Sequence, residues 1–149
     1  MEIDEIDAII LRKLVEDAKT PLKELSESTG LAVSSIHTRL SRLISKGIIE
    51  KFTILIDPDK CGYVTAFILL YVENPRMSEI AEKLKEIENV IEIFRMAGRS
   101  NMVLKVVVKN LNELEKFLEE ISKIEGVRDF EYLIVIRKFK EELWKPSLK

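Results

Sequence analysis

The sequence predicts an α+β chain: a winged-type helix-turn-helix followed by a βαββαβ ferredoxin-like sandwich. Three observations carry that reading. Apolar residues recur at helical spacing through the first 56 positions. From Val64 onward, strand-like alternation and amphipathic helices take turns in the order of a split βαβ pair. Between the two lies Asp57-Pro58-Asp59-Lys60-Cys61-Gly62, where proline restricts the backbone and glycine permits a turn. The expected domains are 1–56 (helix-turn-helix), 57–63 (linker), 64–139 (sandwich) and 140–149 (tail).

In the first part, Ile6, Ile9, Ile10 and Leu14 define a helix with Asp4 as its N-cap. Thr20-Pro21 reads as a cap followed by proline at the first position of a second helix, which carries Leu22 and Leu25 inward and stops near Gly30. A third helix runs from Val33 to Lys46 and ends at Gly47. Ile48 to Ile56 reads as a strand leaving it.

The second part contains an internal repeat. Ile87-Glu88-Asn89-Val90 recurs as Ile124-Glu125-Gly126-Val127, each copy closing an amphipathic helix (Ile80, Leu84, Ile87; then Phe117, Ile121, Ile124). Strands are expected at 64–73, 90–97, 102–109 and 127–138. In the first, Val64, Ala66, Ile68, Leu70 and Val72 alternate with Phe67, Leu69 and Tyr71. In the last, Phe130, Tyr132, Ile134 and Ile136 alternate with Leu133 and Val135. A sheet apolar on both faces needs cover on both. Two helices supply one cover, and a second subunit is the economical source of the other.

Composition narrows the function classes. The longest apolar run, Tyr63 to Val72, falls short of the roughly 20 residues that span a bilayer. The acidic start Met-Glu-Ile-Asp-Glu has no signal-peptide character, so a cytoplasmic protein without membrane attachment is expected. One Cys and one His exclude an internal disulfide and a structural zinc site, and no cofactor motif occurs. The absence of glutamine and the 34% charged content fit a thermophile. An enzyme of ferredoxin-like fold is disfavoured: the loop Glu73-Asn74-Pro75-Arg76 has no glycine for an anion nest, and the lone His37 lies in the other module.

Net charge is −2, which does not favour nucleic acid, but its distribution does. Over 31–56, Arg39, Arg42, Lys46 and Lys51 face Glu50 alone. On a helical wheel, Ile36, Leu40, Leu43 and Ile44 form the inward stripe of the third helix. Ser34, Thr38, Ser41 and Ser45 lie opposite, flanked by Ser35, His37, Arg42 and Lys46, with Arg39 nearer the core edge. Small hydroxyls allow close approach to bases, and the basic side chains can neutralise phosphates. The candidate DNA-binding residues are Ser34, Ser35, His37, Thr38, Arg39, Ser41, Arg42 and Lys46. A solvated polar face is the plainer reading. Against it, the chain fills its other helix faces with Glu and Lys, which form helices better than Ser. His37 reads equally as a DNA contact or an idle surface group.

These residues resemble the Lrp/AsnC (feast/famine) family of transcriptional regulators. The likeness runs through Ile3-Asp4-Glu5-Ile6-Asp7, Leu14, Asp17-Ala18-Lys19-Thr20-Pro21, Glu24-Leu25, Gly30-Leu31, Arg39-Leu40-Ser41-Arg42-Leu43 and Lys46-Gly47-Ile48-Ile49. The resemblance implies a homodimer joined through the C-terminal sheets, often four dimers in an octamer. It implies pseudo-palindromic double-stranded DNA, with two helices in major grooves about 34–36 Å apart. It implies an amino-acid-like effector bound between dimers. The alternative is a protein-interaction or ligand-binding module with a vestigial DNA domain.

The chain departs from the family pattern at three places. Ala32 stands where a capping Ser is usual, so Ser34 or Ser35 is the candidate replacement cap. The turn usually Gly-x-x-Asp reads Gly98-Arg99-Ser100-Asn101, and Phe130 and Tyr132 stand where relatives often carry Thr. Those six are the candidate effector residues. Loss of a negative charge and gain of Arg99 suit an anionic or uncharged ligand better than a zwitterion; alternatively Gly98–Asn101 is only a hairpin turn. Trp144, in the tail, is expected to pack on its own domain or a neighbouring subunit.

Overall fold

The computed structural model describes residues 2–148, so Met1 and Lys149, the outer bounds of the expected first domain and tail, lie outside the description. The chain divides into two compact units. One comprises residues up to Leu55 together with the segment from Lys140; the other is Ile56–Phe139. The tail thus folds with the helix-turn-helix.

The first unit has three helices: α1 (Glu5–Glu16), α2 (Leu22–Thr29) and α3 (Val33–Ser45). Asp4 caps α1 as expected. Its side chain accepts from the Asp7 N–H at 2.8 Å, and the Asp7 side chain accepts from the Asp4 N–H at 3.1 Å, a reciprocal capping box. Ile10, Leu25 and Ile36, one from each helix, are fully buried and form the core, with Ile6, Leu14, Leu22, Leu31 and Leu40 packed around them.

Three local expectations are corrected. Pro21 is itself the N-cap of α2, not its first residue, because its ψ of 154° is extended; Thr20 instead donates to the Asp17 carbonyl in an Asp-led turn. Ala32 caps α3 without any side-chain bond, and neither Ser34 nor Ser35 takes over, because the helix begins at Val33 ahead of both. The strand over Ile48–Ile56 does not form. Gly47, at φ 72°, closes α3 in a Schellman turn: Ile48 N–H donates to Leu43 C=O and Gly47 N–H to Ile44 C=O. Beyond it, residues 51–56 pair with no strand among the described residues, and Phe52, Ile54, Leu55 and Ile56 are exposed.

The second unit is the βαββαβ sandwich: β1 (Val64–Val72), α4 (Met77–Lys85), β2 (Val90–Arg95), β3 (Met102–Val108), α5 (Leu111–Ser122) and β4 (Val127–Ile134). The sheet is antiparallel in the order β2-β3-β1-β4. Three strands end within two residues of expectation, an ordinary boundary error. β4 stops four residues early because its partner β1 begins at Val64: Val135 makes a last bond to Thr65, and Ile136 is 97% exposed.

Alternation sorts the sheet into two faces. Ala66, Ile68, Leu70 and Val72 with Met102, Leu104, Val106 and Val108 are buried under Ile80, Leu84, Leu114, Phe117 and Ile121 of the two helices. The register puts Phe130, Tyr132 and Ile134 on this same side, opposite Leu70, Ile68 and Ala66. The other face carries Phe67, Leu69, Val103 and Val107, half-buried, with Tyr71, Phe94 and Leu133 about half exposed.

Candidate nucleic-acid interface and effector cleft

The helix α3 is held from behind and open in front. Ile36 and Leu43 are fully buried, and Ser34, Ser35, His37, Thr38, Ser41 and Lys46 are exposed. The turn before α3 is fastened by the Ser26 hydroxyl, which donates to the Leu31 carbonyl, and by Thr29 Oγ1, which accepts from the Leu31 N–H at 3.3 Å. Thr38 donates to the Ser34 carbonyl and Ser45 to that of Arg42, each keeping acceptor lone pairs outward. The Ser34, Ser35 and Ser41 hydroxyls bond no other described side chain or backbone group, so each can still donate and accept.

The two arginines are placed differently from the hydroxyls. Arg39 Nη1 sits 2.7 Å from Asp4 Oδ2 and 3.0 Å from Asp7 Oδ1, while Arg42 Nη2 sits 2.5 Å from Asp7 Oδ2. Asp7 is only 1% exposed. The Arg39 hydrogen bond and the Asp7 N–H hold the Asp4 carboxyl below its ordinary range, and Asp4 in turn raises Arg39. Sequence reasoning used Asp4 as a cap and missed this pairing; the signal was two carboxylates at i, i+3, Asp4 and Asp7, matched by Arg39 and Arg42 at the same spacing.

In the second unit five of the six candidate effector residues line two clefts that share Tyr71. Gly98 and Asn101 line a cleft of about 550 Å³ with Tyr71, Glu73, Arg95 and Arg128. Arg99, Ser100 and Phe130 line another of about 520 Å³ with Leu69, Asp129 and Glu131. Tyr132 lines neither and lies on the helix-covered side opposite Ile68. Asn101 is occupied structurally: its Nδ2 donates to the Val72 carbonyl and its Oδ1 accepts from the Val72 N–H, both at 2.9 Å. Sequence reasoning missed Glu73, Arg95 and Arg128, which stand at strand ends and meet only through the strand order. Arg128 pairs with Glu73 at 2.9 Å; Arg95 has no ion-pair partner among the described residues.

The tail does not bury Trp144, which is 81% exposed. Its anchor is Pro146, buried, whose carbonyl accepts from Arg12 Nη1 at 2.9 Å, while Lys145 pairs with Glu16 at 3.1 Å.

Comparison with known proteins agrees with both units. The winged helix-turn-helix DNA-binding family matches residues 3–50, and the Lrp/AsnC ligand binding domain matches 65–144. The chain is 42% identical to the HTH-type transcriptional regulator FL11 of Pyrococcus horikoshii, over 97% of this chain and 96% of that one. It is 36% identical to the regulator LrpA of the same organism, over 93% of this chain and 99% of the other. Escherichia coli AsnC superposes with a TM-score of 0.87 at 27% identity, covering 98% of this chain and 100% of AsnC. A Neisseria meningitidis regulator solved with L-Met shares the fold at 23% identity and TM-score 0.87, covering 97% of each chain. With a helix-turn-helix whose polar face is open and a sensing-type sandwich behind it in the sequence, the chain belongs to the Lrp/AsnC family and is a DNA-binding transcriptional regulator.

Proposed function

We propose that the protein acts as a cytoplasmic homodimer whose two α3 helices read successive major grooves of a pseudo-palindromic site. The observation that carries this is the outer face of α3: Ser34, Ser35, Thr38 and Ser41 are exposed with free hydrogen-bonding capacity, and Lys46 and His37 flank them. Short hydroxyls permit the approach that base-edge contacts need. The missing side-chain cap at Ala32 supports the same reading, since uncapped first-turn N–H groups suit a phosphate. Dimerisation through the open sheet face supplies the cover that Phe67, Leu69, Tyr71, Phe94 and Leu133 lack within their own unit.

The cleft beside Asn101 and Arg95 suits a small effector bearing a carboxylate, such as an amino acid. Asn101, engaged with Val72, supports the wall of this cleft, and Arg95 is the group that faces the carboxylate.

Fluorescence anisotropy tests the DNA half, using a duplex selected from a random pool by the wild-type protein. Ser41→Glu places a carboxylate against the groove and is expected to weaken binding at least about a hundredfold. Full affinity would reject this face. Titration calorimetry with the twenty amino acids tests the effector half, and no binding heat from any of them would reject it.

A further inference from the structure

The two arginines of α3 look like phosphate ligands in sequence, but their guanidiniums already have partners. Arg39 is held by two carboxylates, Asp4 and Asp7, and its side chain is 27% exposed. Arg42 gives one nitrogen to Asp7, and its side chain is 41% exposed. A guanidinium has five N–H donors, so Arg42 keeps donors free on its open side. Between them stands Asp7, the only buried charged residue described, with one oxygen accepting from Arg39 and the other from Arg42 and the Asp4 N–H.

We propose that Asp7 is a positioning residue for DNA recognition: it retains Arg39 inside the domain and orients Arg42 toward a single phosphate. The division has a physical reason. Arginines left loose beside a groove bind any duplex, because phosphate contacts are independent of sequence. A buried carboxylate that occupies them suppresses this non-specific attraction and lets the hydroxyls of α3 decide affinity. It also fixes the angle of α3 against α1, since Arg39 and Arg42 lie one turn apart on the same side of the helix.

The salt dependence of binding reads this directly, because each phosphate contact contributes about 0.9 to the slope of log K against log salt. Full-length wild type and variants are compared on the selected duplex and on a random-sequence duplex of equal length. Arg39→Met is expected to leave the slope on the selected duplex unchanged, and Arg42→Met to flatten it by about 0.9. Asp7→Asn removes the one carboxylate on Arg42 and one of the two on Arg39. It is expected to steepen the random-duplex slope by about one unit and to lower the ratio of specific to non-specific affinity at least about tenfold. Unchanged slopes and ratio in a folded Asp7→Asn protein would overturn the assignment. Thermal melting reports whether that variant folds. If it does not, the arginine pair still decides: equal flattening by Arg39→Met and Arg42→Met means that both reach phosphates and Asp7 retains neither.

Discussion

Asn101 pairs with Val72 as if it were a piece of backbone, donating to its carbonyl and accepting from its N–H at 2.9 Å each. One planar amide thus extends the β1–β3 ladder past its last backbone partner pair, Leu70 with Met102. Only a side chain with both a donor and an acceptor on one plane can do this. Asn101→Asp leaves the Val72 carbonyl facing a carboxylate and is expected to cost about 1–3 kcal/mol. Urea denaturation checks it, and an unchanged midpoint would remove the structural role.

Gly126 carries the turn into β4 at φ 99°, and its carbonyl accepts from the Glu73 N–H at 2.8 Å. A Cβ there would lie 2.7 Å from Arg76 Cδ and 3.1 Å from Ile80 Cδ1. Gly126→Ala combines backbone strain with a clash against the Arg76 side chain and a tight contact with buried Ile80, and a loss of about 1–3 kcal/mol is expected in the same assay.

Acid should loosen the brace between α1 and α3. The folded-state pKa of Asp4 is depressed, first by Arg39 and then by the Asp7 N–H. Its stabilisation is therefore complete above the ordinary value of 3.8 and is lost as pH falls below it. Asn caps a helix as well as Asp does, so Asp4→Asn isolates the charge. Wild type should exceed this variant in melting temperature by a constant amount from neutral pH down to mild acid, and the gap should close below that value. Asp4 is over half exposed, so the gap represents less than about 1 kcal/mol. A gap independent of pH would exclude the ion pair.

Leu69→Glu puts a carboxylate in the middle of the open sheet face, opposite Glu131 and so without a counter-charge there, and does not touch the buried face. The domain should stay folded while the dissociation constant of the proposed dimer rises at least about a hundredfold, the cost of an unpaired buried charge. Sedimentation equilibrium measures this. Undisturbed self-association would move the interface elsewhere.

Much of this architecture was legible because burial imposes a period. Ala66, Ile68, Leu70 and Val72 sort to one side of β1 whatever they pair with, and Leu84 and Ile121 mark the helices that cover them. What was not legible depends on partners distant in the chain. Phe52 to Ile56 has the composition of a strand, but a strand also needs a ladder, and composition does not report one. The helical wheel set Arg39 near the core edge without revealing Asp4 and Asp7, which stand more than thirty residues earlier. Tyr132 shares an alternation with Phe130, yet strand direction carries it away from the Gly98–Asn101 turn, so it lines neither cleft. Asn101 read as a turn residue because its bond reaches back to Val72.

The tail has a consequence for synthesis. Arg12 and Glu16 of α1 receive Pro146 and Lys145, so this unit is discontinuous and takes its closing piece from beyond the entire sandwich. Ribosomes elongate at about 5–20 residues per second, and domains generally fold in the order they emerge. Here the helices that emerge first gain their contacts with Lys145 and Pro146 only after the sandwich has been translated.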